Sequence, residues 1–314
     1  MANDLLAAAA GGGRQQPTVG GHRLTLSNLD KVLYPAAGTT KAAVIAYYAQ
    51  IAPVLLPHVR DRPVTLRRFP EGVEGPSFFE KNAPRGRPSW LPTAPVPRRA
   101  GDGEPDIDYV LLCDEAGLVW VANMAALELH VPMWRAAPGV HAYGSSDLMV
   151  FDLDPGGPAG MVECCRVACW LRQALADEGY EAYPKTSGSK GLQLYVPLRP
   201  AVPGEDARDL AHRFARLAER ALPGEVVSNM RKDLRRGKVL VDWSQNHPAK
   251  TTVAAYSLRA RPRPTVSTPV HWREVEACER EGNADRLVFE CDDVLRRVAA
   301  TGDLFAPLVE TGSG

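Results

Sequence analysis

The chain has 314 residues, 45% of them apolar and 24% charged, which is long enough for one large domain or two smaller ones. Its 37 basic and 37 acidic side chains cancel, so overall charge gives no argument for nucleic-acid binding, and any basic surface must be local. The six cysteines fit neither a disulfide scaffold nor a zinc site, no apolar run reaches about 18 residues, and no signal peptide is evident, so we expect a cytoplasmic protein without a membrane contact.

The first half of the chain predicts a tail followed by mixed helix and strand. Residues 1–20 lack a packing pattern and predict a mobile tail, with order beginning at His22. The periodicity of "TTKAAVIAYYAQIAPVLLPHV" predicts a helix that starts near Thr40, and "RPVTLRRF" predicts a short strand. Proline, glycine and arginine indicate a loop over residues 84–105. The segment "DYVLLCDEAGLVWVANM" predicts a hairpin with its turn at residues 115–117.

The second half predicts strands alternating with helices. The segments "DLMVFDLDPGG", "GLQLYVPL" and "GKVLVDWSQN" predict strands. Those that predict helices are "MVECCRVACWLRQALADEGY", which stops at Gly179, and "GEDARDLAHRFARLAERALPG". This order favours an α/β or α+β class with a sheet at its centre. Since we find no repeat and no domain linker, we expect one domain over residues 21–310 and a short tail at 311–314.

Three acidic residues lie in predicted strands. In "VFDLDP", Asp152 and Asp154 are two residues apart, so a strand turns both carboxylates to one face and the intervening Leu153 to the other. Asp242 lies in "VLVDWSQ", where an acid among apolar neighbours is costly without a partner. Mg²⁺ and Mn²⁺ prefer such oxygen ligands, so the three acids predict a two-metal phosphoryl-transfer site. The alternative for Asp-x-Asp alone is a solvated strand end.

The segment "TSGSKG" has the composition of a phosphate-binding loop. Its glycines let backbone N–H groups approach an anion, Ser187 and Ser189 can donate hydrogen bonds, and Lys190 supplies charge. It does not fit the P-loop pattern G-x-x-x-x-G-K-[ST], and a flexible turn is the alternative. Downstream, the basic run "MRKDLRRGKVLVDWSQNHPAK" surrounds Asp242, which favours binding of a triphosphate or a nucleic-acid backbone over a merely solvated face.

Several longer motifs occur together in one order. The segments "LDKVLYPAAGTTK", "PSFFEKNAP" and "ALELHVPMW" precede "VFDLDP", "TSGSKGLQLYVPL" and "KVLVDWSQN…KTTVAAYSLR". In this order and spacing they resemble the polymerase domain of bacterial DNA ligase D, which belongs to the archaeo-eukaryotic primase superfamily and acts in non-homologous end joining. The resemblance runs from His22 to Leu308. It implies a primase-like fold, with central β-sheets flanked by helices, and a single primase-polymerase domain.

The resemblance also implies residues for the catalytic centre. Asp152, Asp154 and Asp242 would be the catalytic carboxylates and would bind two divalent ions, Mn²⁺ or Mg²⁺. The residues implied in binding the incoming nucleotide are Ser187, Gly188, Ser189, Lys190, Gln193, His130, Arg235, Gln245 and Arg259. For His130, which follows "AALEL" and is expected at the end of a helix, the residues alone leave open a purely structural role.

A third group of residues is implied in binding DNA. Lys31 and Lys41 would hold the 5′-phosphate of a recessed end, because a lysine suits a terminal phosphate as a point charge. Phe78 and Phe79, expected in a loop, would stack on template bases, a contact that demands no particular sequence. From the residues alone, the lysines could be merely solvated and the phenylalanines could pack in the core.

The implied reaction is attack of a primer 3′-hydroxyl on the α-phosphate of a nucleoside triphosphate. It would extend 3′ ends and fill short gaps at DNA breaks, and the resemblance implies a preference for ribonucleotides and manganese. The implied partners are gapped DNA or double-strand-break ends, nucleoside triphosphates, Ku, and a DNA ligase domain or protein, at the nucleoid. The sequence has no K-x-D-G motif for a ligase lysine, so ligation would come from elsewhere.

One position departs from the family's phosphate motif, which usually reads S-G-x-K-G-x-H. Gln193 replaces the histidine and can donate a hydrogen bond without carrying charge. We therefore expect a weaker nucleotide site than a protonated histidine would give. The alternative functions are an end-binding module with feeble catalysis, which tight binding without primer extension would reveal, and a metal-dependent nuclease, which cleavage without nucleotides would reveal.

Overall fold

The computed structural model describes residues 14–97, 106–136 and 144–309, which fall into two compact units. Unit 1 contains the chain up to Val131 together with Tyr256–Thr265 and Glu290–Gly302. Unit 2 contains Pro132–Ala255, Val266–Phe289 and the chain from Asp303 onward. Because each unit combines separate stretches of sequence, no single linker divides the chain, which explains why the sequence predicted one domain over residues 21–310.

Seven α-helices and fifteen strands lie in the described residues. The helices are α1 (Lys41–Val59), α2 (Glu115–Asn123), α3 (Met161–Ala176), α4 (Gly204–Ala221), α5 (Trp272–Glu281), α6 (Cys291–Thr301) and α7 (Ala306–Val309). The strands are β1 (Thr18–Val19), β2 (His22–Arg23), β3 (Val32–Tyr34), β4 (Thr39–Thr40), β5 (Thr65–Arg68), β6 (Phe78–Glu80), β7 (Thr93–Val96), β8 (Ile107–Val110), β9 (Ala126–Val131), β10 (Ser145–Pro155), β11 (Tyr183–Thr186), β12 (Leu192–Pro203), β13 (Val226–Val227), β14 (Val239–Asp242) and β15 (Thr252–Val253). This mixture confirms the predicted class.

Helix α1 of unit 1 starts where the sequence predicted. Thr40 caps it, since its Oγ1 accepts the N–H of Ala43 at 3.3 Å. Contrary to our expectation, α1 is long and apolar enough to cross a membrane, the one such helix among the residues described. However, 56% of its apolar window is buried inside the protein, and Tyr48 donates to the carbonyl of Leu127 at 2.6 Å. These contacts are typical of a core helix.

The hairpin predicted around residues 115–117 is wrong, because helix α2 occupies that stretch. The Asp114 carboxylate accepts the N–H of Gly117 at 2.8 Å and caps the helix. The apolar run that follows is buried on most sides, and such a run cannot be distinguished from a strand by periodicity alone. The next strand is β9, so His130 lies in a strand and not at the end of a helix.

Three stretches predicted as irregular contain strands. Residues 1–13 and 310–314 lie outside the described residues, but strand β1, within the predicted tail of residues 1–20, pairs with β2. Phe78 and Phe79 lie in strand β6, which pairs with β5, so they are not in a loop. Strand β7 similarly lies within residues 84–105 and pairs with β8. These strands have two to four residues, too few for a period of two to be recognised.

Unit 2 is built on a five-stranded sheet in the order β11-β12-β10-β14-β13. Only the β13–β14 pair is parallel within this sheet. Helices α3 and α4 bury the face of the sheet that carries Phe151 and Leu153, and the ring of Phe214 meets that of Phe151 edge to face at 6.2 Å. The neighbours of these two residues on β10 therefore face the other side.

We expect Phe214→Ala to destabilise unit 2 by about 3–5 kcal/mol, because the side chain is fully buried against Phe151 and Tyr180. Urea unfolding followed by circular dichroism measures this change. Phe79→Ala is the matched control, since the Phe79 side chain is 58% exposed and its loss should change the free energy of unfolding by less than about 1 kcal/mol. Equal destabilisation by the two substitutions would contradict the packing described for α4.

Candidate active site

The sheet of unit 2 brings the three predicted carboxylates together. Asp152 on β10 lies directly opposite Asp242 on β14, so both side chains point to one face. Asp154, two residues beyond Asp152, points to the same face. Directly opposite residues in an antiparallel pair have Cβ atoms about 4.5–5.5 Å apart. The cluster is therefore a consequence of strand register.

Burial and like charge act strongly on Asp152. Its pKa is raised to about 6, first because partial burial removes water from the carboxylate and then because Asp242 and Asp154 are negatively charged. A hydrogen bond from Gln193 and the charge of Lys185 act in the opposite direction. A carboxylate in this environment gains most from a cation placed beside it.

Each carboxylate already accepts hydrogen bonds from the protein. Gln193 Nε2 donates to Asp152 Oδ1 at 3.0 Å. Lys190 Nζ lies 2.9 Å from Asp154 Oδ1, and an Arg235 nitrogen lies 3.7 Å from Oδ2. Ser244 donates to Asp242 through its N–H at 3.0 Å and through its hydroxyl at 2.5 Å. Gln245 Nε2 also donates to Asp242, at 2.9 Å. Lys250 in turn donates to the Ser244 hydroxyl.

The donor set fits a divalent metal, although the side chains are not yet turned toward one. Three carboxylates at one sheet face are hard oxygen ligands of the kind that Mg²⁺ and Mn²⁺ take. Within residues 14–97, 106–136 and 144–309, no three His, Cys, Asp or Glu side chains are gathered at ligand spacing. The oxygens of the three aspartates instead face ammonium, guanidinium, amide and hydroxyl groups. A divalent ion that binds here would have to replace some of these donors.

The predicted phosphate loop is a tight hairpin turn between β11 and β12. Ser187 shapes it, since its Oγ accepts the N–H groups of Ser189 at 3.2 Å and Gly191 at 3.1 Å. Gly188 has a φ of +66°, a conformation that glycine adopts without strain. Two backbone N–H groups expected to face a phosphate are therefore engaged within the loop. The Lys190 side chain is 62% exposed and extends toward Asp154.

Two glycines let the loop and the basic segment approach the carboxylate strand. A Cβ at Gly191 would lie 2.2 Å from the carbonyl oxygen of Leu153, and one at Gly156 would lie 2.0 Å from that of Arg235. Real Cβ atoms do not approach so closely, so any other residue at these positions would force the backbones apart. The glycines thereby keep Lys190 and Arg235 within reach of the carboxylates.

Lys185, which no sequence motif indicated, has a completely buried side chain. Its Nζ donates to Gln193 Oε1 at 2.6 Å and to Ser267 Oγ at 2.5 Å. Lys185 and Gln193 lie opposite each other in the hairpin that carries the phosphate loop. In the sequence, the polar residues Lys185 and Gln193 on either side of "TSGSKG" could have indicated that they pair across this hairpin.

The residues predicted to bind DNA lie in unit 1. Lys41 is 6% exposed, and its pKa is lowered to about 8 by burial and by the charges of Lys31 and Arg68. Lys31 Nζ forms an ion pair with Glu71 at 2.7 Å. These lysines form a local concentration of positive charge, which the zero net charge of the chain conceals.

Phe78 and Phe79 are both exposed, by 46% and 58%, so the core-packing alternative is wrong. Arg67 is paired with Phe79 across β5 and β6, and its guanidinium lies 5.3 Å from that ring. Arg68 stands in the same relation to Phe78, also at 5.3 Å. As neighbours in a strand, the two rings lie on opposite faces of the sheet. Each ring is thus held by a cation–π contact.

His130 and Arg259, predicted to bind the nucleotide, surround one carboxylate of unit 1. His130 Nε2 lies 2.9 Å from Glu128 Oε2, and Arg259 Nε lies 3.2 Å from Oε1. Burial lowers the pKa of His130, although Glu128 opposes this shift. Burial alone would raise the pKa of Glu128, but His130 and Arg259 hold it well below its usual range. Glu128, missed in the sequence, therefore fixes both predicted residues.

This chain is similar to one solved domain and to parts of longer non-homologous end joining proteins. A structure described as the polymerase domain from Mycobacterium tuberculosis ligase D in complex with DNA is 46% identical, with a TM-score of 0.84, over 91% of this chain and 98% of that one. The multifunctional non-homologous end joining protein LigD of Mycolicibacterium smegmatis is 46% identical over 286 residues, and the bifunctional LigD of Bacillus subtilis is 30% identical over 281.

The chain spans 36% of the length of the Mycolicibacterium protein and 43% of the Bacillus protein. The similarity therefore concerns one part of each of these longer relatives. A family model described as the LigD primase-polymerase domain matches residues 40–305, which contain all three clustered carboxylates and the phosphate loop. The resemblance seen in the sequence motifs is confirmed: the chain belongs to the LigD primase-polymerase domain family.

Proposed function

We propose that this chain is a primase-like nucleotidyltransferase that extends 3′ ends and fills short gaps at DNA breaks in bacterial non-homologous end joining. The observation that carries this proposal is the register that places Asp152 opposite Asp242, with Asp154 on the same face. The hairpin loop that carries Lys190 lies beside these carboxylates. Membership of the family and the DNA bound to the structural relative support the same function.

Asp152, Asp154 and Asp242 would hold two divalent ions, Mn²⁺ or Mg²⁺. Such ions, when bound, lower the pKa of the attacking 3′-hydroxyl and neutralise charge at the leaving pyrophosphate. The Lys190 ammonium and the Arg235 guanidinium, which contact Asp154, are placed to turn to the triphosphate of a bound nucleotide. Partial burial of Asp152 limits its access to water, and the hydrogen bond from Gln193 keeps its carboxylate oriented.

The remaining predicted residues support binding of the substrates. Ser187, Gly188 and Ser189 would shape the loop around the triphosphate, and Gln245, His130 and Arg259 would contact the nucleotide. Lys31 and Lys41 would hold a 5′-phosphate, while Phe78 and Phe79 would each offer a ring face to an unpaired base. The expected partners are gapped or broken DNA, nucleoside triphosphates, Ku and a DNA ligase, in the cytoplasm at the nucleoid.

Primer extension on a gapped duplex tests the proposed function. With Mn²⁺ and either ribonucleotides or deoxyribonucleotides, we expect extension by the wild type and a loss of about 10²–10³-fold in rate for Asp152→Asn, which keeps the shape but removes the charge. Asp209→Asn is the matched control, because that carboxylate is 70% exposed and bound to Arg208. Tight binding of DNA without extension by the wild type would favour a binding module, and cleavage without nucleotides would favour a nuclease.

Binding of 5′-phosphorylated ends should weaken at alkaline pH. Since the pKa of Lys41 is about 8, its side chain carries a positive charge below that pH and loses the charge above it. The ratio of affinities for 5′-phosphate and 5′-hydroxyl ends should therefore fall between pH 7.5 and 9.5 by up to about tenfold per unit. Fluorescence anisotropy measures this ratio. Lys41→Arg should remove the dependence on pH, and the same slope in that variant would contradict the assignment.

Gln193→His should alter the nucleotide site less than the sequence suggested. The buried ammonium of Lys185 can only donate, so a histidine at this position must present a lone pair to it and an N–H to Asp152. That arrangement repeats the hydrogen bonds of Gln193 without adding charge. We expect KM for the nucleotide and kcat to change by less than about threefold in steady-state extension, which is under about 1 kcal/mol. A tenfold or larger improvement in kcat/KM for the nucleotide would show instead that a charged histidine strengthens this site.

A further inference from the structure

Lys185 is buried beside the proposed metal site, two strands away from Asp152 in the same sheet. Its side chain has no exposure to solvent, and it belongs to β11, next to the phosphate loop. The contacts of its ammonium include Gln193 Oε1, Ser267 Oγ and the ring of Tyr195, whose centroid is 5.5 Å away. Burying an ammonium group costs free energy, so we expect a buried lysine to have a role that offsets this cost.

The hydrogen bonds around Lys185 have only one consistent direction. Ser267 donates its single hydroxyl proton to the carbonyl of Thr186 at 2.9 Å, so it offers a lone pair to the ammonium. An ammonium has donors and no acceptor. Gln193 must therefore turn its carbonyl oxygen toward Lys185, which leaves its Nε2 to donate to Asp152 Oδ1.

The opposite orientation of the Gln193 amide would be unfavourable at both ends. Its NH₂ group would face the ammonium, which is donor against donor, and its oxygen would face the carboxylate, which is acceptor against acceptor. Three adjacent strands fix the distances, because Lys185 is opposite Gln193 and Gln193 is opposite Asp152. The sheet thus builds a directed chain from the lysine to the carboxylate.

We propose that Lys185 is a positioning residue for Asp152: acting through Gln193, its ammonium holds the carboxylate in the orientation that receives a divalent ion. This inference rests on the proposed function only in assigning the ion to Asp152. A neutral donor could orient the amide with less cost of burial. The positive charge has the further effect of offsetting part of the repulsion between Asp152 and Asp242 before an ion arrives.

Titration with Mn²⁺ in the absence of nucleotide and DNA tests this proposal. Isothermal titration calorimetry should show about tenfold weaker binding of Mn²⁺ to Lys185→Met, which keeps the length of the side chain but donates no hydrogen bond. Lys185→Arg, which retains charge and donors, should bind within about threefold of the wild type. A lysine that only supports the fold would lower the melting temperature of Lys185→Met without changing its affinity for Mn²⁺, and that result would overturn the proposal.

A double-mutant cycle tests whether Lys185 acts through Gln193. Gln193→Leu should weaken Mn²⁺ binding by a similar factor, and adding Lys185→Met to it should cause no further loss. Losses that multiply would show that the two residues act independently, which contradicts the proposed chain of hydrogen bonds.

The wild-type protein provides a measurement that survives if Lys185→Met does not fold. The ¹⁵N signal of the Lys185 ammonium, assigned by its loss in Lys185→Arg, should shift when Mg²⁺ is added. The shift should disappear in Gln193→Leu, which interrupts the chain. If the ammonium signal of the wild type does not shift when Mg²⁺ is added, the proposal is overturned. This result does not depend on whether Lys185→Met folds.

Asp152→Asn in the same titration separates this proposal from the proposed function. If Mn²⁺ binds Asp152→Asn as it binds the wild type, the metal site itself is wrongly assigned and the role of Lys185 falls with it. If Asp152→Asn binds weakly while Lys185→Met binds normally, only the role of Lys185 is wrong. A wild type that binds Mn²⁺ as expected yet fails to extend primers would reject the polymerase and leave the role of Lys185 supported.

Discussion

Repulsion between carboxylates on one face of a sheet is the constraint on which the site in unit 2 depends. The register of β10 and β14 places Asp152 against Asp242, and alternation adds Asp154 to the same face. Water screens these charges poorly because Asp152 is partly buried in the sheet. The protein therefore surrounds the carboxylates with its own donors and cations, and these neighbours, more than the carboxylates alone, give the site its form. The cationic ends of this shell are Lys185, Lys190, Arg235 and Lys250.

The sequence predicted the parts of this arrangement that depend on local patterns. Spacing by two residues placed Asp152 and Asp154 on one face, and apolar neighbours marked Asp242 as an acid that needs a partner. Strands β10, β12 and β14 and helices α1, α3 and α4 follow from regular periodicity and caps. The family motifs supplied the expected order of these elements. What they could not supply was which side chains satisfy one another across the sheet.

The features that the sequence missed depend on pairing between distant residues. Lys185 and Ser267 are 82 positions apart and meet only after the strands assemble. Glu128 looked like an ordinary polar residue, yet its carboxylate joins His130 to Arg259, 131 positions away. The stretch after Asp114 was misread because a short apolar helix and a buried strand share the same composition. Register and burial, which single positions do not encode, decide all three cases.

The division of unit 1 among separate stretches of sequence constrains how it can fold during synthesis. Helix α6 belongs to this unit although it follows almost all of unit 2 in the chain. A ribosome that adds about 5–20 residues per second needs on the order of tens of seconds to reach it. Until then α1 lacks the packing of α6, and its apolar side chains depend on partial burial or on a chaperone. The order of segments along the chain thus delays completion of unit 1 until most of unit 2 has been synthesised.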